Sequence, residues 1–221
     1  LLFEVIVCDC PWQANDSLTM DKTKRGAGAN YNTISTKDLC KLPVSSIANP
    51  DGCLLASWVL GSMLEDGIEV FNAWGFNLKQ TYVWVKTKKH LENISIDDCL
   101  AFGLGRLFRQ THEICLIGTN SNNIYKLLNN KSQRSVSFKE NKRHSTKPEN
   151  LQNSLDLMFP TAQKIELFAR RERPGWICLG NDSSLSLSSD ISVGLGKISK
   201  IQDPSFIQYD KTAKKNIWDN M

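Results

Sequence analysis

The chain has 221 residues, 41% of them hydrophobic and 23% charged, with 13 glycines and a formal net charge of +4. That length accommodates one globular domain with a sizeable core and some chain to spare. The composition excludes collagen-like, wholly disordered and disulfide-framework classes; no apolar run reaches the roughly 18–20 residues of a bilayer span, and the small basic excess permits a polyanionic partner without demanding one.

The opening Leu1-Leu2-Phe3 has neither the charged flank nor the cleavage pattern of a signal peptide. Leu1 to Val7 is a short apolar run that halts at Asp9-Cys10-Pro11-Trp12, which predicts a strand buried on both faces, the habit of parallel sheets. Residues 13–33 form a long polar stretch with Lys22, Lys24 and Arg25, too long for an ordinary connection and read as a functional lid or a disordered segment. Gly52 to Trp58 predicts a second strand, and Leu60, Met63, Leu64, Ile68, Phe71 and Trp74 recur at helical spacing up to a stop at Gly75. Gln80 to Val85 predicts a third strand and Glu113 to Gly118 a fourth, with an irregular stretch, 86–110, between them.

Asn120 to Lys147 is polar and basic and reads as loop. Pro148 suits the first position of a helix whose buried stripe is Leu151, Leu155 and Met158, ended by Pro160. Lys164 to Ala169 and Trp176 to Gly180 supply a fifth and a sixth strand. Strands alternating with helices predict an α/β domain with a mostly parallel sheet. The domain is expected over 1–182, followed by a Ser-rich linker and a tail of unknown function, 183–221.

Seven cysteines without a C-x-x-C pair predict a reduced, intracellular (cytoplasmic) protein with inert core thiols, and three histidines are too few for a multi-histidine metal site. Chemistry is expected at the end of the first strand, because ligands of open α/β sheets bind outside the carboxyl ends of strands. Asp9-Cys10-Pro11-Trp12 alone fits a plain strand-terminating turn equally well, with Asp capping backbone donors and Trp packing as core. It also suits methylation of an exocyclic purine amine, a poor nucleophile whose lone pair is delocalised into the ring. Two acceptors on its hydrogens, the Asp9 carboxylate and the Cys10 carbonyl, favour the pyramidal, attacking nitrogen. Trp12 can stack on the base, and a base within a duplex must first be flipped out.

Asp9-Cys10-Pro11-Trp12 resembles the D-P-P-W motif of S-adenosylmethionine-dependent adenine-N6 methyltransferases, and within them the MT-A70-like family. Tyr31 to Ser35, Leu55 to Val59, Ala73 to Phe76, Val83 to Thr87, His112 to Gly118, Arg143 to Pro148, Lys164 to Arg170 and Trp176 to Asn181 are similar to further family segments in order, over about 3–182. Gly103-Leu104-Gly105-Arg106, Ser132-Gln133-Arg134-Ser135 and Arg173-Pro174-Gly175-Trp176 look nearest to the bacterial and phage DNA-modifying branch. Cys10 stands where the family usually has proline; only its main-chain carbonyl is needed, so activity is expected to survive.

The resemblance implies a Rossmann-like class I methyltransferase fold with helices on both sheet faces, permuted so that the catalytic turn precedes the cofactor strand. The absence of G-x-G-x-x-G after the first strand is then no objection. It implies S-adenosylmethionine as cofactor, S-adenosylhomocysteine as product, and no metal. The cofactor-binding residues would be Asp9, Lys147 for the methionine carboxylate, Glu166, Phe168 and Arg170 on one side of the fifth strand, and Asn181 and Asp182 beyond the sixth. Each also has a plainer reading: a solvated lysine, a strand-end ion pair with a core Phe, a turn. Substrate contacts are expected from Lys24, Arg25, Tyr31, Trp58, Arg106, Arg109 and Arg134, with Lys22 and Arg143 nearby, although charge runs are usually solvated surface. The partner would be nucleic acid, DNA by subfamily, with no membrane; a homodimer is expected by resemblance alone. RNA methylation and a non-catalytic subunit of the same fold are the alternatives.

Overall fold

The computed structural model describes residues 1–14, 33–88, 95, 99–101, 108–140, 147–180 and 191–201. Seven strands are β1 (Val5–Cys8), β2 (Leu54–Val59), β3 (Asn77–Thr87), β4 (His112–Thr119), β5 (Val136–Glu140), β6 (Lys164–Leu167) and β7 (Ile177–Leu179). They form one sheet in the order β5-β3-β4-β2-β1-β6-β7, in which only β4 runs antiparallel to its neighbours. The helices are α1 (Thr36–Cys40), α2 (Leu64–Ala73), α3 (Asn150–Met158) and α4 (Ile191–Ser199).

β1 explains its own position. Its β-branched residues suit a strand, and all four of its residues are buried. Ile6 and Cys8 pack with Leu39 of α1, Val70 and Phe71 of α2, and Leu195 and Ile198 of α4. Val5 and Val7 pack on the other face with Leu151 and Leu155 of α3. The period of two in a strand thus sends alternate residues into two separate cores. Helices cover both faces of a mostly parallel sheet, which is the Rossmann-like α/β arrangement expected.

β1 lies between β2 and β6. Chain order leads from β1 to β2 through α1 on one face, and into β6 through α3 on the other. Connections leaving on opposite faces open a crevice at the carboxyl end of the central strand, where such sheets bind ligands. Asp9 follows β1 at that crevice.

Local signals hold this frame. Ser35 caps α1, its Oγ accepting from the Asp38 N–H at 3.1 Å while donating to Asp38 Oδ2 at 2.7 Å. Gly75 takes φ +82° just past α2, the left-handed position that favours glycine. Four sequence expectations change. The loop expected over 120–147 contains β5, whose short run with exposed Val136 and Phe138 sits on the sheet edge. α3 begins at Asn150, two residues after Pro148. The fifth expected strand stops at Leu167, because Phe168 turns to φ +58°. Residues 191–199 of the expected tail form α4, with Leu195 and Ile198 fully buried. Among the described residues no helix is long and apolar enough to cross a membrane.

Candidate active site

Alternation along β1 puts Val5 and Val7 on the α3 face, and Asp9, the next odd position, extends that row past the strand end. Beyond it the turn closes tightly: the Trp12 N–H donates to the Cys10 carbonyl at 2.9 Å. Ile34 returns beside it, donating to the Pro11 carbonyl at 2.8 Å and accepting from Gln13 at 3.1 Å. A carbonyl carries two lone pairs, so the Cys10 oxygen keeps one for a further donor. Trp12 is only 4% exposed, and its indole N–H donates to the Trp58 carbonyl at 2.9 Å. Trp12 is therefore a buried wall of the turn, locked to β2.

Lys147 stands at the entry to α3, on the same face. Its Nζ donates to both Asp9 oxygens, at 2.9 Å and 3.1 Å, and lies 3.2 Å from Glu113 Oε2. Glu113 Oε1 in turn meets Lys86 Nζ at 2.7 Å. Lys147 Nζ also sits 5.7 Å from the centre of the buried Trp58 ring, within cation–π range. The result is an alternating row of charges, Lys86, Glu113, Lys147 and Asp9, gathered from β3, β4, the α3 entry and the end of β1. Burial alone would pull the Lys147 pKa down, but Asp9 and Glu113 more than offset it and hold the ammonium well above its ordinary value. Burial pushes Glu113 up, yet Lys147 and Lys86 prevail and its carboxyl titrates below the usual range.

Register explains why Glu113 reaches this row. Val59, the last residue of β2, pairs with Ile114, so His112 and Glu113 stand beyond the end of β2. Glu113 pairs with Trp84 on β3. The long β3–β4 pair thus rises as a wall beside the crevice. In the sequence Glu113 is one residue of an expected strand, and Lys86 carries no local signal of a site. Alternation could have placed Glu113 with Cys115, but not opposite Lys147.

A second acid borders the crevice from β6. Gln152 of α3, itself 2% exposed, donates from Nε2 to Glu166 Oε2 at 3.2 Å, and its own Oε1 is buried without a partner. Burial raises the Glu166 carboxyl above its ordinary value despite that hydrogen bond. Glu166, Phe168 and Arg170 do not share one side as strand alternation predicted. The strand ends at Leu167, and Phe168 in its left-handed conformation packs against the core of Ile165 and Leu167, away from Gln152. Arg170 is exposed. Behind this strand end Arg171 pairs with Glu149 and reaches the Lys147 carbonyl at 3.4 Å, while Arg173 binds Glu149, Asn153 and Asp156 along one side of α3. These contacts anchor the segment that presents Lys147.

Of the expected substrate residues, Trp58 borders the charge row. Arg109 is exposed on the approach to β4. Arg134 is exposed before the edge strand β5, four strand spacings from β1, or roughly 19 Å away at about 4.8 Å per strand. It is not brought to Asp9. Lys22, Lys24, Arg25, Tyr31, Arg106, Arg143, Asn181 and Asp182 lie outside the described residues.

The MT-A70 family model matches residues 3–182. The chain is 29% identical over 181 residues to an Arabidopsis thaliana protein named N(6)-adenosine-methyltransferase MT-A70-like, covering 81% of this chain and 23% of that protein. It is 28% identical over 181 residues to the Homo sapiens N(6)-adenosine-methyltransferase catalytic subunit METTL3, covering 81% and 28%. A Mycoplasma protein named type II methyltransferase M.MunI is 28% identical over 189 residues, covering 79% of this chain and 75% of its own length. The match thus spans about a quarter of the plant and human relatives but most of the bacterial one. With a family match over most of its length, the chain belongs to the MT-A70 family.

Proposed function

We propose that this chain transfers a methyl group from S-adenosylmethionine to the N6 amine of adenine in DNA. The observation that carries the reading is the contact of Lys147 with Asp9 at the mouth of the β1 crevice, beside the two buried tryptophans Trp12 and Trp58. A cation, an acid and an acceptor carbonyl converge there on one turn.

The residues fit the cofactor. Lys147, held charged, suits its carboxylate, and Asp9 suits its amino group. Glu166 offers acceptors for hydroxyls, and the orphaned Gln152 Oε1 leaves a buried acceptor beside Glu166. When bound, the cofactor supplies an electrophilic methyl on a positively charged sulfur. The chain's own work is positional. Asp9 and the Cys10 carbonyl accept the two amine hydrogens, which orients the nitrogen lone pair, and each hydrogen bond to a charged group contributes about 1.5–3 kcal/mol. Trp12 and Trp58 wall the turn and limit water. Holding the amine in line with the methyl accounts for most of the rate.

DNA is favoured by the resemblance of the Gly103 to Arg106, Ser132 to Ser135 and Arg173 to Trp176 segments to the DNA-modifying branch, and the coverage of the bacterial type II methyltransferase agrees. RNA is the second reading, supported by the relatives named adenosine methyltransferases. A non-catalytic subunit fits less well, since Asp9, Trp12 and Lys147 are all present and the acid and cation are in contact.

The test is transfer of tritiated methyl from S-adenosylmethionine to unmodified DNA and RNA, followed by nucleoside analysis. N6-methyldeoxyadenosine is expected, with Asp9→Asn about tenfold to a hundredfold slower and still folded by circular dichroism. Label in RNA alone moves the substrate to the second reading. No methyladenine in either nucleic acid from folded protein removes the reading altogether.

A further inference from the structure

Cys8 and Cys10 bracket the proposed catalytic acid, and their sulfurs approach to 2.8 Å. Both are free thiols, 0% and 4% exposed, on the face of the sheet opposite the Asp9 carboxylate. They share that face because residues two apart at a strand end point the same way. The methyl-transfer reading uses neither sulfur.

A shared metal ion does not fit this pair. Two thiolates on one zinc, each about 2.3 Å from it, stand roughly 3.8 Å apart. Among the described residues no group of three or more metal-ligating side chains exists. The separation is instead about 0.8 Å longer than a sulfur–sulfur bond of roughly 2.05 Å. The backbone can supply that movement, because Cys8 is the last residue of β1 and Asp9 N–H reaches the Leu167 carbonyl only at 3.5 Å.

We propose that Cys8 and Cys10 form a dithiol modification site that a hydroperoxide-class oxidant converts reversibly to a disulfide enclosing Asp9. Burial, followed by the proximity of Cys10, holds the Cys8 thiol well above its ordinary pKa, which favours Cys8 as the partner that reacts second. Cys10 gives up its proton and its sulfur takes an oxygen from hydrogen peroxide: a sulfur–oxygen bond forms, the oxygen–oxygen bond breaks, and the leaving hydroxide takes up that proton to become water. Cys8 then gives up its proton and its sulfur displaces the hydroxyl of the Cys10 sulfenic acid, releasing a second water. Two thiols are oxidised and one peroxide is reduced. The closed ring pulls on the backbone on both sides of Asp9 and on the Cys10 carbonyl, the two acceptors placed at the target amine. Oxidation therefore blocks transfer without touching the cofactor residues on β6.

The site is read first by mass and not by activity, so its failure is separable from failure of the methyl-transfer reading. The reduced 221-residue chain is treated with hydrogen peroxide, quenched with N-ethylmaleimide and mapped by peptide mass spectrometry. The peptide holding Cys8 and Cys10 is expected to lose two hydrogens, to escape alkylation, and to regain both thiols with dithiothreitol. Cys8→Ser and Cys8→Ala should each abolish the bond, and mapping of the unsubstituted chain decides the matter if neither variant folds. Methyl transfer by the oxidised chain should fall at least tenfold and recover on reduction, while folded Cys8→Ala keeps transferring in peroxide concentrations that silence the parent. Alkylation of both thiols after peroxide, pairing of either with another cysteine, or a formed bond that leaves transfer unchanged would each overturn the site.

Discussion

Lys147 Nζ lies 2.9 Å and 3.1 Å from the two carboxylate oxygens of Asp9, across 138 residues of chain. The pair is largely buried, with side-chain exposures of 15% and 22%. In such surroundings removing one partner costs more than the pair contributes, because the other charge is left desolvated. Lys147→Met should therefore destabilise the fold by about 3 kcal/mol. Calorimetry with S-adenosylmethionine should show the larger defect, a loss of affinity of tenfold or more. A variant that melts as the parent does and binds cofactor normally would show that Lys147 only fills space.

Glu113 holds Lys147 and Lys86 together, and its folded-state pKa lies below the ordinary 4.5. The stabilisation it gives is present above the unfolded-state value and is lost as pH falls through the depressed one. Glu113→Gln should thus be less stable than the parent at neutral pH, and lose less further stability on going from about pH 5 to about pH 3. Urea melts at several pH values measure this, and parallel curves for the two proteins would contradict it.

Burial gives Glu166 the opposite sign. The folded chain holds this proton more tightly than the unfolded one, so its stabilisation is present at low pH and is lost as pH rises through the raised value. Hydroxyl recognition needs the carboxylate, so cofactor affinity should grow with pH around a midpoint above the ordinary 4.5. Glu166→Gln should bind more weakly and with a flat pH profile. An unchanged profile in that variant would assign the titration to another group.

Gly180 follows β7 where the chain passes against the β6 exit. A Cβ there would come 2.2 Å from the Ala169 carbonyl oxygen and 2.4 Å from its nitrogen, backbone atoms that cannot swing aside. Ala169 N–H already donates to the Leu179 carbonyl at 3.0 Å. Gly180→Ala should cost about 3 kcal/mol by denaturant melts, the upper end for overpacking. Wild-type stability would mean that this close approach relaxes freely.

Several elements are legible in the residues alone. The apolar run of β1 and its abrupt stop at Asp9 announced a central strand, because a strand buried on both faces has no polar alternation to keep. The helical spacing of α2 and the glycine that ends it were equally legible, being local. β5 was not, since a short edge strand with one face in water lacks a distinctive pattern, and neither was the left-handed turn at Phe168 that separates its side chain from Glu166. Which charges meet depends on how the strands register and pack. Glu113 reaches Lys147 because Ile114 registers with the last residue of β2, and Cys8 meets Cys10 because the turn folds their shared face inward. Periodicity fixes the face a side chain takes within one strand; register between strands, set by packing of the whole core, fixes what stands opposite it.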